Sequence, residues 1–548
     1  MNTLARGFPF FSPAPLLMAP LKPVRGPVDL ALTYRSPADG AEQPFRLFLP
    51  KAYDGKTPLP LLIVLHGTGG NQDTYFDTPS HGDGLYKRLA DERGLMIVSP
   101  HGRGITEYRG IGEYDVLCAF DQVKRIVPVD EDRVVLTGLS MGGTGTSHLC
   151  CRYPDLFAGG APIGSCFEDL TLVPNLKNLP MYYIQGANDW PTYGKEGPIP
   201  ISRRMAELGY DVTFDVVPDT PHNAVPQTAE KVLDWAMGRR RNLHPRSVVF
   251  CAYLPIHGLA YWTEIREIAE PGPPAKLRAD IGDGNAIHVH LENTAHIALF
   301  PEPQLLDLKT PIRVTVNGTS LPGVTCGPGQ EIRLLRDADW RAEVGPRNLR
   351  PLTAYRTHRI GTVLSTPTQD GPAETTMGNW MTDAMRDATD ADIAIYNSRH
   401  DRGIPLRNGQ DVYEIDLFDW IRPYAWCLCA FDLPGRDLLE ILEDNLRDEE
   451  QEKEFLVQVS GCRYAFDRSR PLGARIVETD IDPDRTYRIV CEKQTLSREN
   501  VHLAGRYEKI PHQDPEISII SAAWRYIHKH HGRIEARAEG RVRDLTRV

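Results

Sequence analysis

The spacing of apolar positions along this 548-residue chain changes twice, and each change marks a new region. In residues 27–240, short unbroken apolar runs alternate with stretches in which apolar residues recur every three or four positions. Unbroken runs are typical of parallel strands buried on both faces, whereas the longer spacing predicts amphipathic helices. Strands and helices in alternation predict a doubly wound, mostly parallel α/β sheet. The predicted strands are Phe45–Leu49, Leu61–Leu65, Leu95–Val98, Arg133–Leu139, Gly159–Ile163, Met181–Ile184 and Val212–Val217, and the predicted helices cover 84–93, 115–127 with Asp115 as its cap, 141–152, 201–208 and 228–237.

In residues 241–350 the helical spacing fades, and short strand-like runs separated by turn signals replace it. Sequences such as Gly282-Asp283-Gly284-Asn285 and Asn317-Gly318 are typical of hairpin turns. We therefore expect a small antiparallel β domain of sandwich-like form, with Trp262 in its core. His288 and His290 alternate onto one strand face, but without a third ligand we interpret them as cross-strand or solvated histidines. The predicted strands are Val248–Cys251, Ala286–Leu291, Ile297–Phe300 and Ile312–Val316.

Residues 351–548 mix helices and strands in an α+β pattern. A helix opens at Thr376, a strand covers Ile393–Asn397, and an amphipathic helix covers 436–446. The predicted organisation is an N-terminal extension (1–26), an α/β domain (27–240), a β domain (241–350) and an α+β domain (351–548).

Composition excludes some functions. The net charge is −11 and no block of lysine and arginine occurs, which argues against nucleic-acid binding. No apolar run reaches the roughly 18 residues that a membrane span needs. Five prolines interrupt the apolar start of the chain, so we interpret it as a surface extension rather than a signal peptide. Ten scattered cysteines favour a reducing compartment, and we expect a cytoplasmic protein, with a secreted or periplasmic location as the alternative.

The candidate chemistry starts at Gly138-Leu139-Ser140-Met141-Gly142, where an apolar run ends and a predicted helix begins. A G-x-S-x-G sequence between a strand and a helix is the pattern of a nucleophile elbow. The two glycines let strand and helix pack closely around a strained turn that exposes the serine hydroxyl. We predict Ser140 as the nucleophile and the backbone N–H of Met141 as one donor to the oxyanion.

A serine hydroxyl needs a base to take its proton, and the base needs an acid to orient it. In this fold the chain order is serine, acid, histidine. Asp189 follows the predicted strand at 181–184, and His222 follows the strand at 212–217. We predict Asp189 as the acid and His222 as the base, because His101 and His148 stand in the wrong chain order.

A second oxyanion donor is predicted in the loop His66-Gly67-Thr68-Gly69-Gly70, which directly follows a buried strand. A glycine-rich turn at that place lets backbone N–H groups face a cavity, and the N–H of Thr68 is our candidate. His66 is interpreted as a structural hydrogen-bonding residue. Trp190, next to the acid, is a candidate for lining the substrate pocket, with a packing role as the alternative.

Residues 27–240 resemble α/β-hydrolase carboxylesterases of the polyhydroxybutyrate-depolymerase-like and feruloyl-esterase-like group. The stretches that carry the resemblance are LIVLHGTGG, VSPHGRG, DEDRVVLTGLSMGGTGT, YPDLFAGGAPIGS and IQGAND. The resemblance implies ester hydrolysis through an acyl-enzyme on Ser140. Similar prolyl-oligopeptidase-like domains cleave peptides, so a serine peptidase stays open.

Residues 355–510 resemble the C-terminal, substrate-binding domain of 5′-nucleotidases. The helix after Thr376, the strand Ile393–Asn397 and the run Gln458-Val459-Ser460-Gly461 carry this resemblance. The family's glycine-rich turn reads Ser398-Arg399-His400-Asp401 here, which leaves Asn397 and Arg402. A later glycine-rich segment is reduced to Ala504-Gly505-Arg506-Tyr507, and no metallophosphatase motif occurs in this sequence. We interpret the domain as a degenerate binding or structural module, with Arg402 as a candidate anion-binding residue.

The sequence as a whole predicts a serine hydrolase that cleaves a small-molecule or polymer-derived carboxylic ester without a metal or organic cofactor. A serine peptidase with the same triad is one alternative. The other is a non-catalytic scaffold in which the third domain recognises a nucleotide-like or glycan partner. The oligomeric state does not follow from the sequence.

Overall fold

The structure is a computed structural model that describes residues 26–166, 169–189, 197–348, 356, 358–369, 371, 373–397, 406–421, 427–446, 457–492 and 510–546. Contacts between residues divide the chain into two compact units. The first unit holds the chain up to Ala269 together with Ala275–Tyr355, and the second holds Glu270–Pro274 together with Arg356–Val548. Within the described residues, no helix is both long enough and apolar enough to cross a bilayer.

An eight-stranded sheet forms the centre of the first unit, with strand order β1-β2-β4-β3-β5-β6-β7-β8. The strands β1 and β2 are antiparallel to their neighbours, and the pairings from β4 to β8 are parallel. The sheet confirms the predicted doubly wound α/β fold, which is the α/β-hydrolase arrangement. The strands are β1 (Val28–Arg35), β2 (Glu42–Leu49), β3 (Leu59–Leu65), β4 (Met96–Pro100), β5 (Val129–Leu139), β6 (Gly159–Ile163), β7 (Met181–Gly186) and β8 (Val212–Val217).

Helices connect these strands and cover the sheet. Apolar side chains of the central strands, such as Leu62, Val135 and Ile184, are fully or almost fully buried, which explains why the runs that contain them lack polar alternation. The helices are α1 (Thr74–Asp77), α2 (Leu85–Arg93), α3 (Ile111–Ile126), α4 (Met141–Arg152), α5 (Pro198–Glu207) and α6 (Val225–Met237), with 3₁₀ turns at Pro79–His81 and Leu170–Asn178.

The start of α3 corrects one prediction. The helix begins at Ile111, so Asp115 lies in its second turn and does not cap it. Asp115 is buried, where it accepts a hydrogen bond from Ser36 Oγ at 3.1 Å and forms an ion pair with Arg103. In a sequence, an aspartate near the start of a helix suggests an N-cap. Here Asp115 instead lies inside the helix, where it is buried and paired with the cationic side chain of Arg103.

The β region of the first unit forms two five-stranded sheets, with orders β10-β11-β14-β17-β18 and β16-β15-β13-β12-β9. The predicted turns lie between β12 and β13 and between β15 and β16. The expectation of a wholly antiparallel domain is wrong, because β13 and β15 pair in parallel. The strands are β9 (Ser247–Ala252), β10 (Leu259–Ala260), β11 (Thr263–Ile268), β12 (Ala275–Gly282), β13 (Ala286–Glu292), β14 (Thr294–Leu299), β15 (Arg313–Val316), β16 (Thr319–Ser320), β17 (Gln330–Arg336) and β18 (Trp340–Pro346), with a 3₁₀ turn at Pro255–His257.

Buried polar contacts join this β region to the α/β sheet within the first unit. The Asn175 side chain exchanges hydrogen bonds with the backbone of Cys251 and donates one to the carbonyl of Cys151. Nε2 of His257 donates to Oε1 of Glu113 at 3.0 Å, and Glu113 also pairs with Arg152. Because such groups are costly to bury without partners, these contacts fix the two regions against each other.

The described part of the second unit contains a four-stranded sheet, β22-β26-β20-β23, and two three-stranded sheets, β21-β19-β27 and β25-β24-β28. Its core includes Ile393, Leu438, Val459 and Ile489. The elements are β19 (Arg359–Ser365), α7 (Thr376–Thr389), β20 (Ile393–Asn397), β21 (Asp411–Tyr413), α8 (Asp416–Trp420), β22 (Leu428–Pro434), α9 (Gly435–Asp444), β23 (Val457–Ser460), β24 (Tyr464–Phe466), β25 (Ile476–Thr479), β26 (Thr486–Glu492), α10 (Ile519–Lys529), β27 (Arg533–Glu535) and β28 (Val542–Asp544).

Candidate active site

The turn between β5 and α4 holds Ser140 in a strained conformation. Its backbone has φ 58° and ψ −118°, a region that residues with a Cβ rarely occupy. Such strain is maintained only where the surrounding structure enforces it, and it is concentrated at functional sites. The Ser140 side chain is therefore presented by the geometry predicted for a nucleophile elbow.

Two glycines allow that turn to form. A Cβ on Gly142 would lie 2.0 Å from the carbonyl oxygen of Leu65, and a Cβ on Gly138 would lie 2.5 Å from backbone atoms of Gly142. Both distances are far below van der Waals contact, so no other residue fits without moving the backbone. Glycine at these positions is thus required by the close packing of β3, β5 and α4.

The end of β6 brings Ser140 and His222 to the same place. The N–H of Ser140 donates to the carbonyl of Ile163 at 2.9 Å. The next residue, Gly164, has φ 52°, and a Cβ there would lie 3.1 Å from both Cε1 and Nδ1 of the His222 ring. The backbone of the nucleophile and the ring of the predicted base are therefore both held against residues 163–164.

Asp189 and His222 form a direct pair. Nδ1 of His222 lies 2.9 Å from each carboxylate oxygen of Asp189. The Asp189 side chain is 1% exposed, whereas that of His222 is 20% exposed. A buried carboxylate on Nδ1 fixes the tautomer that leaves Nε2 as the basic nitrogen.

The loops that carry the acid and the histidine are bonded to each other. The N–H of Ala187 donates to the carbonyl of Val217 at 2.9 Å, and the N–H of Asn188 donates to that of Thr220 at 2.8 Å. A Cβ on Gly186 would lie 2.3 Å from the Pro221 carbonyl oxygen, so the backbones of the two loops pack directly against each other. This contact sets the distance between Asp189 and His222.

Gln185 is a site residue that the sequence analysis missed. Its side chain is buried on β7, and its Nε2 donates to Oδ2 of Asp189 at 2.5 Å. The bond adds a second side-chain contact to the carboxylate that also contacts Nδ1 of His222. The only sequence signal was its position four residues before the acid, at the end of a buried strand, where a polar side chain is unusual.

The loop after β3 lies beside the nucleophile. A Cβ on Gly67 would be 3.5 Å from Cβ of Ser140, and the N–H of Gly70 closes a turn onto the Gly67 carbonyl at 3.0 Å. Thr68 is exposed within this turn. Met141 is the first residue of α4, so its N–H belongs to the positive end of that helix. Both predicted oxyanion donors thus belong to segments that border Ser140.

His66 holds the loop in shape. It is fully buried, with Nδ1 2.9 Å from the Gly67 carbonyl and Nε2 2.9 Å from the His101 carbonyl. The hydroxyl of Tyr108 donates to the His66 carbonyl at 3.0 Å. These contacts give His66 the structural role predicted for it.

His148, which stands in the wrong chain order for the base, lies inside α4. His148 is buried beside Arg109, and burial followed by that positive charge holds the pKa of His148 well below its usual range. Such a histidine stays neutral and has no access to substrate.

Several predicted residues lie outside the description. Trp190, Arg402, the segment 398–401 and the segment 504–507 fall outside the described residues, as does the side chain of Asn397. His288 and His290 lie opposite Asp280 and Arg278 across β12 and β13. Among the described residues, no group of three or more His, Cys, Asp or Glu is placed to hold a metal ion.

Comparisons with known proteins agree with both resemblances. Residues 359–497 match the family described as 5′-nucleotidase, C-terminal domain. A bifunctional acetylxylan esterase/xylanase of Neocallimastix patriciarum is 31% identical over 142 residues, which cover 24% of this chain and 19% of that protein. A poly(3-hydroxybutyrate) depolymerase of Ralstonia pickettii is 30% identical over 149 residues, which cover 23% of this chain and 30% of that protein.

Among solved structures, a fluorophosphonate-binding serine hydrolase of Staphylococcus aureus is similar, with 22% identity and a TM-score of 0.33, covering 39% of this chain and 100% of that one. The aligned residues span only 19% to 33% of the length of the first curated relatives. The predicted resemblance to esterases fused to a 5′-nucleotidase C-terminal-like domain is confirmed.

Proposed function

We propose that this chain is a serine hydrolase that cleaves carboxylic esters through an acyl-enzyme on Ser140. The observation that carries the proposal is the Asp189–His222 pair, with Nδ1 2.9 Å from both carboxylate oxygens. The His222 ring lies beside Gly164, and the preceding residue, Ile163, accepts the hydrogen bond from the Ser140 N–H. Serine, aspartate and histidine act together in acyl transfer, and their order along this chain is that of the α/β-hydrolase fold, which supports the proposal.

In the proposed reaction His222 takes the Ser140 proton as Oγ attacks the ester carbonyl. Asp189 orients the imidazole and stabilises its charged form, and Gln185 holds Asp189. The N–H groups of Met141 and Thr68 donate hydrogen bonds to the oxyanion. Loss of one such donor typically lowers kcat by about 10²–10³-fold. His222 then protonates the leaving alcohol, and water repeats the sequence to release the acid.

The names of the relatives support a proposal for the substrate class. One of the curated proteins that match is named a bifunctional acetylxylan esterase/xylanase, a second an acetylxylan esterase and a third a poly(3-hydroxybutyrate) depolymerase. We propose an ester whose alcohol or acid belongs to a polymer, with acetylated sugar chains first. We also propose that the 5′-nucleotidase C-terminal-like domain serves as a degenerate binding or structural module here.

The test compares the wild type with Ser140→Ala on p-nitrophenyl acetate, longer acyl esters, acetylated xylan and peptide p-nitroanilides. We expect ester hydrolysis in the wild type and a decrease in kcat of about 10⁴-fold or more in the variant. Hydrolysis of peptide but not ester substrates would replace the esterase with a peptidase. Equal rates for both proteins on every substrate would leave the non-catalytic scaffold.

A further inference from the structure

The second unit carries a cleft of about 320 Å³ whose lining residues come from α7, α10 and the chain around β27. None of them belongs to the proposed triad. A volume of this size is at the small end of ligand pockets, which span about 300–1,000 Å³, so it suits a ligand no larger than a mono- or disaccharide.

One wall of the cleft is aromatic. Trp380 and Tyr526 meet edge to face, with ring centroids 5.5 Å apart and an angle of 84°. The Trp420 ring also packs against Trp380, with ring centroids 4.8 Å apart, and the His530 ring centroid lies 4.4 Å from that of Tyr526. Tyr526 is half-buried, so part of its ring is exposed. The ring is rigid and loses little conformational entropy on binding, and it can pack against the C–H groups of a saturated ring such as that of a sugar.

The floor is an ordered ion pair. Arg541, whose side chain is 9% exposed, binds both carboxylate oxygens of Asp383, at 2.9 and 2.8 Å. The same guanidinium binds Glu539 at 3.0 and 2.9 Å. These ion pairs fix the positions of the two carboxylates. The lone pairs that do not bind Arg541 are therefore held in place as hydrogen-bond acceptors for a ligand.

A second ion cluster forms the rim. Glu535 accepts one hydrogen bond from Arg533 and one from Arg537, each at 2.9 Å. The two arginine side chains are 65% and 73% exposed, so most of their N–H donors face solvent. The rim therefore presents donors and acceptors side by side.

The charges of the lining decide the kind of ligand. Three arginines are balanced by three carboxylates, so an anion would meet carboxylates and a cation would meet guanidinium groups. A hydroxyl group both donates and accepts, so it can bridge the paired groups without a net charge. We propose that this cleft binds a neutral sugar, through one or two pyranose rings packed on Tyr526 and hydroxyl groups bonded to the rim.

The test measures binding of xylobiose to full-length protein by ligand-observed NMR and calorimetry. All variants carry Ser140→Ala, so the result does not depend on whether the proposed esterase activity exists. Arg537→Gln removes rim donors while keeping the backbone carbonyl that accepts from Asn379, and Tyr526→Leu removes the ring but keeps apolar bulk. We expect Arg537→Gln to weaken the affinity about tenfold, as the loss of a hydrogen bond to a charged group does. We expect Tyr526→Leu to weaken it by up to about tenfold, as the loss of an aromatic contact does.

The matched control is Arg436→Gln, which removes another exposed arginine of the same unit that binds a single carboxylate, Asp484. It should leave xylobiose binding unchanged. Melting temperatures of all variants establish that each is folded. Absence of xylobiose binding to Ser140→Ala protein, equal affinity in Arg537→Gln and Tyr526→Leu, or binding of adenosine or glucuronate in preference to xylobiose would each overturn the proposal.

Discussion

Gly164 shows how closely the site is built at the scale of a single residue. It has φ 52°, and a Cβ there would lie 3.1 Å from two atoms of the His222 ring. The first property concerns backbone strain and the second concerns the position of the proposed base. A control glycine with only the first property separates the two effects.

We predict that Gly164→Ala displaces His222 and lowers kcat about 10²-fold, the typical cost of a misplacement of about 1 Å. Gly209 has φ 71° and nothing within 4 Å of its Cβ position, so Gly209→Ala should show the backbone strain alone. Both variants should lose about 1–2 kcal/mol of stability, but only Gly164→Ala should lose activity. Ester kinetics and chemical denaturation of the two proteins check this, and equal kcat values would contradict it.

The residues of the site differ in how far sequence reasoning reaches. The places of Ser140, Asp189 and His222 after strand ends could be predicted, because each follows a short apolar run. Gln185 could not, because its bond to Asp189 depends on which face of β7 turns toward the acid loop. Asp115 was misplaced for a similar reason, since its partner Arg103 comes from a loop with no periodic signal.

The β5–α4 elbow is the element on which the site depends. A Cβ on Gly142 would approach the Leu65 carbonyl oxygen to 2.0 Å, and the backbone of a buried strand cannot move aside as a side chain can. The element therefore tolerates no side chain at this position.

We predict that Gly142→Ala costs about 3 kcal/mol or more of stability, at the upper end of overpacking effects. Gly238→Ala, at the end of α6, is the control, because its Cβ would meet only the Trp235 carbonyl at an ordinary 3.5 Å. Circular dichroism during thermal unfolding should show a large shift for the first variant and a small one for the second. A Gly142→Ala protein as stable as the control would refute the close packing.

Among the elements, short strands flanked by turn residues were predicted best. The strands Val212–Val217 and Ile393–Asn397 have the predicted bounds, because turn residues flank short apolar runs. The parallel pairing of β13 with β15 was missed, since alternation in a strand does not reveal the direction of its neighbour. The predicted division at residue 240 falls between α6 and β9, and both sides belong to the first unit.

At the scale of the first unit, two buried histidines couple stability to pH. Burial, and then the charge of Arg152, hold the pKa of His257 well below 6.5, and burial with Arg109 does the same for His148. Both are neutral in the folded protein, whereas the unfolded chain binds a proton near 6.5. The stability they support is therefore complete above pH 6.5 and decreases as the pH falls below it.

We predict that the free energy of unfolding of this unit falls by about 1.4 kcal/mol per pH unit for each of these histidines below pH 6.5. His257→Gln should remove one such contribution, whereas His290→Gln, at a side chain 64% exposed on β13, should leave the slope unchanged. Denaturant titrations between pH 8 and pH 5 measure the pH dependence of the free energy of unfolding. Hydrogen exchange of the amides in α3 and α4, at the same pH values, reports on this unit specifically. A slope in His257→Gln equal to that of the wild type would contradict the prediction.

The close packing around the glycines near the proposed triad also limits which mutations these positions can accept during evolution. Every single-base change in a glycine codon that alters the residue adds a Cβ or introduces a stop codon. Gly142, Gly164 and Gly186 therefore have no conservative substitution within one base change. A lineage that abandoned catalysis would be freed at Ser140 and His222 long before it was freed at Gly142, because folding itself depends on that position. Decay of the enzyme would thus leave a descendant with an intact elbow and no nucleophile.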